Sequence, residues 1–579
     1  MSRLARFYRD FIRHPRFLLG CLCTPIVALC DILITIRIGD ALTELRKGSD
    51  PDFLRGTFFL LLAVAAVQGL FRYLQRWWIV GVSRRVEVEW KQRLFDKLCH
   101  LPLAYHTRTR SGDVVSRLTS DVENIRMLLG PGSMYVFGAL VMVPGSLFVL
   151  FRISPWVTLA MALPLILVAV TMKALSPRLH RASVSVQESL AEISHRAQES
   201  FSGIRVVKGY GLARHEEERF RAVSGENRDH QLVLGAARGL SESLIDLAYD
   251  LAFLPILFVG GWAMIDRSIE VGDLFKFVDL GFKVFWPVLA LGWMAGLYPR
   301  AQASAERIDE LLEEDSDLRE PETPRALASI RGEIELRNVS YTYPGSESPA
   351  LTDASLRVPA GTMLGVVGPT GSGKSTLLGL LGRLWEPRGD VLLDGVPLRE
   401  LPLAIVRGAM AYVPQDSFLF SDTYRNNVDF GADAPLEEER LSQVIEEASM
   451  GAEVASFPEG LEQRIGERGV TLSGGQRQRT CLARALAKNP RVLILDDALS
   501  AVDTETEARL LATLRRARTG RTVVVAAHRL ATVRRAERIV VLDRGRIVAQ
   551  GRHEELVERS EWYRKTWERQ RMQEELAEL

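Results

Sequence analysis

Eight consecutive residues, GPTGSGKS at Gly368–Ser375, have the composition and spacing of a loop that wraps phosphate. Gly368, Gly371 and Gly373 let backbone amides curl around phosphate oxygens, with Pro369, Thr370 and Ser372 completing the loop. Lys374 is placed to neutralise β and γ phosphates and Ser375 to reach Mg²⁺, with Thr376 directly behind. Downstream, the apolar run Val492–Leu495 ends in Asp496, the pattern that brings a carboxylate beside the magnesium, and Asp497 follows. The chemistry implied is binding of ATP with Mg²⁺ and transfer of its terminal phosphoryl group. Such chemistry needs a strand before the loop and a helix after it. Met363–Val367 reads as the strand, and a helix is expected to start near Ser375. These motifs specify a P-loop ATPase and leave motor, helicase and transporter open.

Between the two motifs stands LSGGQRQR, Leu472–Arg479, immediately before the helical run CLARALAK. Here the chain resembles the ABC ATPase family. The resemblance implies that Ser473, Gly474, Gly475 and Gln476, at a helix N-terminus, grip the γ-phosphate of ATP held by an opposite subunit. It implies further roles residue by residue. Tyr343, in YTYPG, would stack on adenine, the alternative being a strand-core tyrosine. Gln415, in AYVPQD, would contact magnesium and sense the membrane domain. Asp503, closing LSAVD, would touch the other subunit across the nucleotide, and His528, in VVVAAHRL, would bond the γ-phosphate.

The same resemblance singles out Asp497. The family's usual LDEATSALD has a glutamate where LDDALSAVD has Asp497, and aspartate is one methylene shorter. A carboxylate set back from the attacking water predicts a weakened site, since a misplacement of about 1 Å can cost about 100-fold in rate. The variant is similar to one subunit of heterodimeric bacterial multidrug exporters, so the expected assembly is a heterodimer in which the other subunit supplies an intact glutamate. The other assembly left open is a homodimer with two slow sites.

The first half of the chain has a different character. With 73 Lys and Arg against 72 Asp and Glu in 579 residues, net charge gives no reason to expect a nucleic-acid partner. Residues 1–312 carry long apolar runs. Six reach bilayer-spanning length, about 20 residues each: Phe17 to Ile36, Thr57 to Leu74, Met134 to Phe151, Val157 to Met172, Leu244 to Ile265 and Phe275 to Tyr298. Arg3, Arg6, Arg9, Arg13 and Arg16 precede the first run, opposed by Asp10 alone, which predicts a cytoplasmic N-terminus and, with six spans, a cytoplasmic C-terminus. Short turns at Ser154-Pro155-Trp156 and Asp266 to Gly272 join spans. The other long connections read as helices continuing beyond the bilayer, Val86 to Leu101 and Arg181 to Ser200, with breaks at Ser111-Gly112 and Gly203. The turns near His106 to Asp113 and Arg205 to His215 would face the cytosol. The first run is too long for a cleavable signal.

Residues 313–331, with Pro321 and Pro324, read as a linker, and 332–579 as the ATPase domain, ending in a charge-dense, solvated helix over Glu554 to Leu579. Cys21, Cys23, Cys30, Cys99 and Cys481 match no metal or haem spacing and read as packing residues. The stretches QRLFDKLCHLPLAYH, SGDVVSRLTSDV, GIRVVKGY and ASAERIDELL resemble six-span exporters of the same superfamily, spans first and ATPase second. The expected architecture is therefore an α-helical six-span transmembrane domain followed by an α/β P-loop ATPase domain of ABC type, a half-transporter that must dimerise.

The expected activity is ATP-driven export of hydrophobic or amphipathic compounds across the cytoplasmic (inner) membrane, by alternating access. Lipid or peptide export is the alternative within the class, and an ATP-gated regulator or channel the alternative outside it. The spans exclude a soluble DNA-associated ATPase. Asp31, Arg72, Asp246, Asp250, Lys276, Asp279 and Lys283 fall in or beside the spans, where charges face the bundle interior or pair. Asp31, Asp246 and Asp250 are candidates for contact with cationic amphipathic ligands; structural charge pairing is the competing reading. Trp77 and Trp78 read as interface markers.

Overall fold

The computed structural model describes residues 3–48, 51–316, 318–327, 329–466, 469, 471–516 and 520–577. It divides into two compact units: Met1–Leu98 with Gly112–Glu313, and Cys99–Ser111 with Glu314–Leu579.

The first unit is helical. A short α1 (Arg3–Ile12) precedes α2 (Pro15–Lys47), which starts with proline at its first turn, where the missing N–H costs nothing, and stops at Gly48 in the left-handed region. The next helix, α3 (Pro51–His100), has 50 residues, and at 1.5 Å per residue runs about 75 Å, more than twice a bilayer core of about 30 Å. The short α4 (Leu103–Arg108) follows in the chain and belongs to the second unit. One more run follows as α5 (Ser111–Ser116), a π-type turn at Arg117–Asp121 and α6 (Val122–Leu129), then α7 (Pro131–Ile153). Pro155 opens α8 (Pro155–Ser202), which ends at Gly203 as expected, and α9 (Ile204–Gly209) is the turn helix. The fifth long helix, α10 (Ala213–Pro255), passes through a π-type turn at Ile256–Gly260 into α11 (Gly261–Ile265); Pro255 immediately precedes this change of winding. Last comes α12 (Val271–Glu313).

Among the described residues, three helical stretches are long and apolar enough to cross a membrane by length and composition. They are Pro15–Lys47, Pro51–His100 and Ser111–Ile153, each containing an 18-residue apolar window of mean hydropathy 2.4, 1.8 and 2.1. The predicted spans in α10 and α12 include side chains outside the described set, at 248, 249, 252 and 289; among the described residues the fifth shows a shorter apolar helix, Phe253–Ile265. Many side chains of the predicted fourth span lie outside the described set.

The expected break at Ser111-Gly112 is displaced. The chain instead leaves helix at Leu101-Pro102 and Thr109-Arg110, and both Ser111 and Gly112 are helical. Pro102 cannot donate to the ladder and sits at ψ 156°, whereas Gly112 lies in a first turn whose amides need no helical acceptor. Near the ends of the long helices, buried charges lock the unit. Asp121, 1% exposed, accepts from Ser304 and from Arg307 Nε at 2.9 Å each. Arg126, 3% exposed, donates to Ser83 Oγ at 3.0 Å and to Glu123 at 2.8 Å.

The second unit is an α/β domain with two sheets. Strand β1 (Ile334–Tyr341), β2 (Leu351–Val358), β4 (Arg388–Leu393) and β5 (Val396–Pro397) form an antiparallel sheet in the order β2-β1-β4-β5. The larger sheet comprises β3 (Met363–Val367), β6 (Met410–Val413), β7 (Val492–Asp496), β8 (Thr522–Ala526), β9 (Arg538–Asp543) and β10 (Arg546–Gly551), in the order β10-β9-β3-β8-β7-β6. All its pairings are parallel except β9 with β10. Side-chain alternation buries both faces: Leu493 and Leu495 enter one core, Val492 and Ile494 the other.

The helices of this unit are α13 (Lys374–Leu381), α14 (Leu403–Ala409), α15 (Tyr424–Asp429), α16 (Glu438–Glu447), α17 (Gly451–Ser456), α18 (Gly474–Ala487), α19 (Thr504–Arg516), α20 (Leu530–Val533), α21 (His553–Arg559) and α22 (Glu561–Ala577). The tail departs from the expected solvated helix. It forms two helices parted at Ser560, and Leu556 and Tyr563 are buried in the sheet's core. Residues 578 and 579 of that predicted helix lie outside the described set. Tyr563 hydrogen-bonds His553 Nδ1 at 2.9 Å. The charge density that suggested solvation belongs to the outer face of an amphipathic pair. All five cysteines are free; Cys23 and Cys481 are buried, but Cys99, expected to pack, is exposed near the end of α3.

Candidate functional site

Four adjacent parallel strands, β3-β8-β7-β6, end on one edge of the large sheet, and each hands over a site residue there. β3 delivers the loop Gly368–Ser375, β8 leads to His528, β7 ends in Asp496 and Asp497, and Gln415 lies exposed two residues beyond β6. Ligands of open α/β sheets bind outside these carboxyl ends.

The loop's shape depends on its glycines. Gly368 has φ 156°, and a Cβ there would stand 2.1 Å from Leu542 O; Gly373 has φ 100°, and its Cβ would stand 2.5 Å from Ala350 O. Helix α13 begins at Lys374, so its free amides and positive end point into the loop. Lys374 Nζ donates to the carbonyls of Gly368 and Pro369 at 3.0 Å each, folded back across the cradle. Burial holds its pKa below the ordinary lysine value, and the charges of Asp497 and Asp496 oppose that shift. Ser372 Oγ is buried without a hydrogen-bond partner among the described residues. An anion-shaped cradle with a buried ammonium and an unsatisfied hydroxyl fits a triphosphate.

Two of the magnesium candidates are in contact. Ser375 Oγ donates to Asp496 Oδ1 at 3.1 Å, and Tyr412 OH donates to Asp496 Oδ2 at 2.9 Å. Burial and the Asp496 charge raise the Tyr412 pKa far beyond its normal range, so it remains a donor. A hydroxyl and one carboxylate suit Mg²⁺, a hard cation that takes few protein oxygens and fills its shell with phosphate and water. When bound, the ion would neutralise charge on the phosphoryl oxygens; Ser375, Asp496 and Gln415 are the side chains to hold it.

Asp497 takes a left-handed backbone conformation, φ 47°, and its N–H continues the ladder to Ala526 O at 3.0 Å. Burial raises its carboxyl pKa; the charge and backbone N–H of His528 and the Ser500 hydroxyl pull it back. Beside it lies a cavity of about 90 Å³ lined by Asp497, His528 and a second carboxylate, Glu507. Glu507 is 6% exposed and held by Thr532 and, at 3.4 Å, by Arg529.

His528 is exposed, and its loop is clamped from α22. Gln570 Nε2 donates to His528 O at 2.9 Å, while Gln570 Oε1 accepts from Leu530 N at 2.8 Å. Each such bond contributes about 0.5–1.5 kcal/mol. Gln570→Ala is therefore expected to lower the melting temperature by a few degrees and to reduce turnover more than ATP affinity. Thermal melts beside steady-state hydrolysis check this; unchanged turnover would show that the clamp does not position His528.

Tyr343 sits just past β1, half-buried, with its hydroxyl 3.0 Å from Thr376 Oγ1 and its ring edge-on to Trp385 at 5.4 Å. It is thus tied to the first turn of α13. Ser473 caps α18 in a reciprocal capping box: it accepts from Gln476 N at 3.2 Å and donates its own N–H to Gln476 Oε1 at 2.9 Å. Gly474 and Gly475 are the first helical residues, and a Cβ on Gly475 would stand 2.8 Å from Ala501 O. No hydrogen bond among the described residues joins Ser473–Gln476 to the phosphate loop. Asp503 caps α19, accepting from Thr506 N at 2.9 Å.

Three supporting residues escaped sequence reasoning: Tyr412, Gln570 and Gln478. Gln478 joins the signature helix to the loop after β7, donating to Ser500 Oγ at 3.1 Å and accepting from Ala501 N at 2.9 Å. Its position four residues after Gly474, on the same helical face, is the signal that was available.

In the helical unit, Asp31 is paired with Arg72 at 3.2 Å. Lys283 bonds Asp279 at 2.8 Å and Lys276 bonds Asp40 at 2.8 Å. Asp246 and Asp250 lie exposed on α10 without a polar partner among the described residues.

Comparison with known proteins agrees with this construction. Residues 17–288 match the ABC transporter transmembrane region, and residues 351–500 match the ABC transporter ATPase family. The chain is 33% identical to the "Probable multidrug resistance ABC transporter ATP-binding/permease protein YheI" of Bacillus subtilis, over 99% of this chain and 98% of that one. It is 34% identical to the "Multidrug resistance-like ATP-binding protein MdlA" of Escherichia coli, over 99% and 97%. An "ATP-dependent lipid A-core flippase" of Pseudomonas fluorescens is 35% identical, over 89% and 85%. A solved bacterial Atm1-family ABC exporter with ATP bound superposes with a TM-score of 0.77 at 25% identity, covering 96% of this chain and 98% of the other. A helical membrane region followed by an ATPase unit carrying the full set of nucleotide motifs, along nearly the whole length of such relatives, places the chain in the ABC transporter superfamily as an exporter-type half-transporter.

Proposed function

We propose that this chain is the slow-site subunit of a heterodimeric exporter that moves hydrophobic or amphipathic compounds out across the cytoplasmic membrane. The observation that carries this reading is Asp497, an aspartate just past β7 where the family's usual motif has glutamate, in a site that otherwise keeps the loop lysine, the candidate magnesium ligands and the histidine of the switch position. In a dimer, the phosphate loop, Asp496 and Asp497 form one ATP site with the partner's signature, and Ser473–Gln476 complete the other. ATP at the slow site holds the two ATPase domains together, and turnover at the other opens them. The multidrug names of two relatives support the substrate class; the lipid A-core flippase supports lipid export as the second reading.

The test is to purify the chain alone and with a partner carrying the glutamate. The pair is expected to hydrolyse ATP at least about 100-fold faster, the low end of what a positioned proton acceptor contributes. Brisk hydrolysis by the chain alone would remove the slow-site reading. Uptake of amphiphiles into inverted vesicles separates an exporter from an ATP-gated channel.

A further inference from the structure

Within the helical unit, α2, α3, α7 and α12 line an open pocket of about 450 Å³. Its charged lining is Asp31, Arg72, Arg76 and Lys283. These charges are unequally satisfied. Lys283 spends its three donors inside the protein, on Asp279 at 2.8 Å, Thr35 Oγ1 at 2.7 Å and Asp31 O at 3.1 Å. Asp31 is neutralised by Arg72, which engages through one nitrogen only. Arg76 has no polar partner among the described residues. The remainder is one whole guanidinium and the unused edge of another, while the acidic group of the lining, Asp31, is ion-paired with Arg72 at 3.2 Å and lies 4.0 Å from Lys283. Tyr135, Phe282 and Trp286 supply aromatic wall, and Trp286 is 69% exposed.

We infer that this cavity binds amphiphiles with an anionic head, a carboxylate or phosphate, seated on Arg76 and the free edge of Arg72, with the apolar body against Phe282 and Trp286. A cationic head would have to share Asp31 with Arg72 and Lys283. An anionic head meets a planar fork of donors suited to it and neutralises a charge stranded in an apolar region. This names the substrate class for the exporter proposed above and rests on that reading.

The test uses the full-length dimer in nanodiscs with three probes of one chain length: N-lauroylglycine, its methyl ester and dodecyltrimethylammonium. Binding is read from tryptophan quenching, with Trp286→Phe identifying the signal from this cavity. The acid is expected to bind at least about tenfold tighter than the ester, as for a hydrogen bond to a charged group. Arg76→Gln should remove that preference and leave ester binding intact, and Arg76→Lys should keep most of it. Equal binding of acid and ester, tighter binding of the ammonium, or a preference surviving in Arg76→Gln overturns the inference. Movement of the probes into inverted vesicles tests the exporter reading separately. Transport without charge preference sinks only the anion site, whereas acid-selective binding without transport of any probe sinks only the exporter.

Discussion

Asp497→Glu is expected to raise ATP turnover at this chain's own site about 100-fold, the scale of rate lost when a group that positions a reactant sits about 1 Å out of place. The extra methylene has space: a cavity of about 90 Å³ adjoins Asp497. Affinity for ATP should change little, because the phosphates are held by Lys374 and the loop. A modest stability cost is expected as well. Asp497 has φ 47°, a region aspartate tolerates through local hydrogen bonds and glutamate tolerates less well, at a cost of roughly 1 kcal/mol. The measurement is hydrolysis at saturating ATP in a dimer whose other site is silenced; no gain would show that carboxylate length does not limit the rate. The pH profile supplies an independent check. Burial raises the Asp497 pKa, and only the ionised carboxylate can accept a proton from water. Turnover limited by this group should therefore fall with acidification at a higher pH than an ordinary aspartate would dictate.

Lys374→Ala is expected to weaken ATP binding at the same site by at least about thirtyfold, since removing one partner of a buried charge pair costs about 2–5 kcal/mol. The variant should still fold. The ammonium's hydrogen bonds within the protein go to two carbonyls of its own loop. Burial places its pKa below the usual lysine value, so raising the pH strips the charge early and ATP affinity should decline on the alkaline side. That decline should be absent in the alanine variant. Binding isotherms for both proteins at neutral and alkaline pH decide the matter; a decline that persists without Lys374 would assign it to another group.

Much of the nucleotide site was legible because its residue types are dictated locally. Gly368 and Gly373 stand where a Cβ would strike carbonyl oxygens, and Asp496 closes an apolar run of strand length. The residues that brace the site were not legible, for a physical reason. Tyr412, Gln478 and Gln570 act through sheet order and helix docking, which bring together positions up to 84 residues apart. The tail misled because its surface charge masks Leu556 and Tyr563, two buried anchors carried on separate helices parted at Ser560. Pro102 was missed as the stop of α3 because the glycine at 112 looked the better breaker, although a proline without N–H interrupts a ladder more firmly than a glycine in a first turn.

In the proposed dimer, one glutamine makes two fuel chambers answer to each other. Gln478 straps the tip that would serve a neighbour's nucleotide onto the segment running from Asp497, so strain at either place is felt at the other. Linkage of this kind is symmetrical: whatever filling the first chamber does to affinity in the second, filling the second must do to the first, by an equal factor.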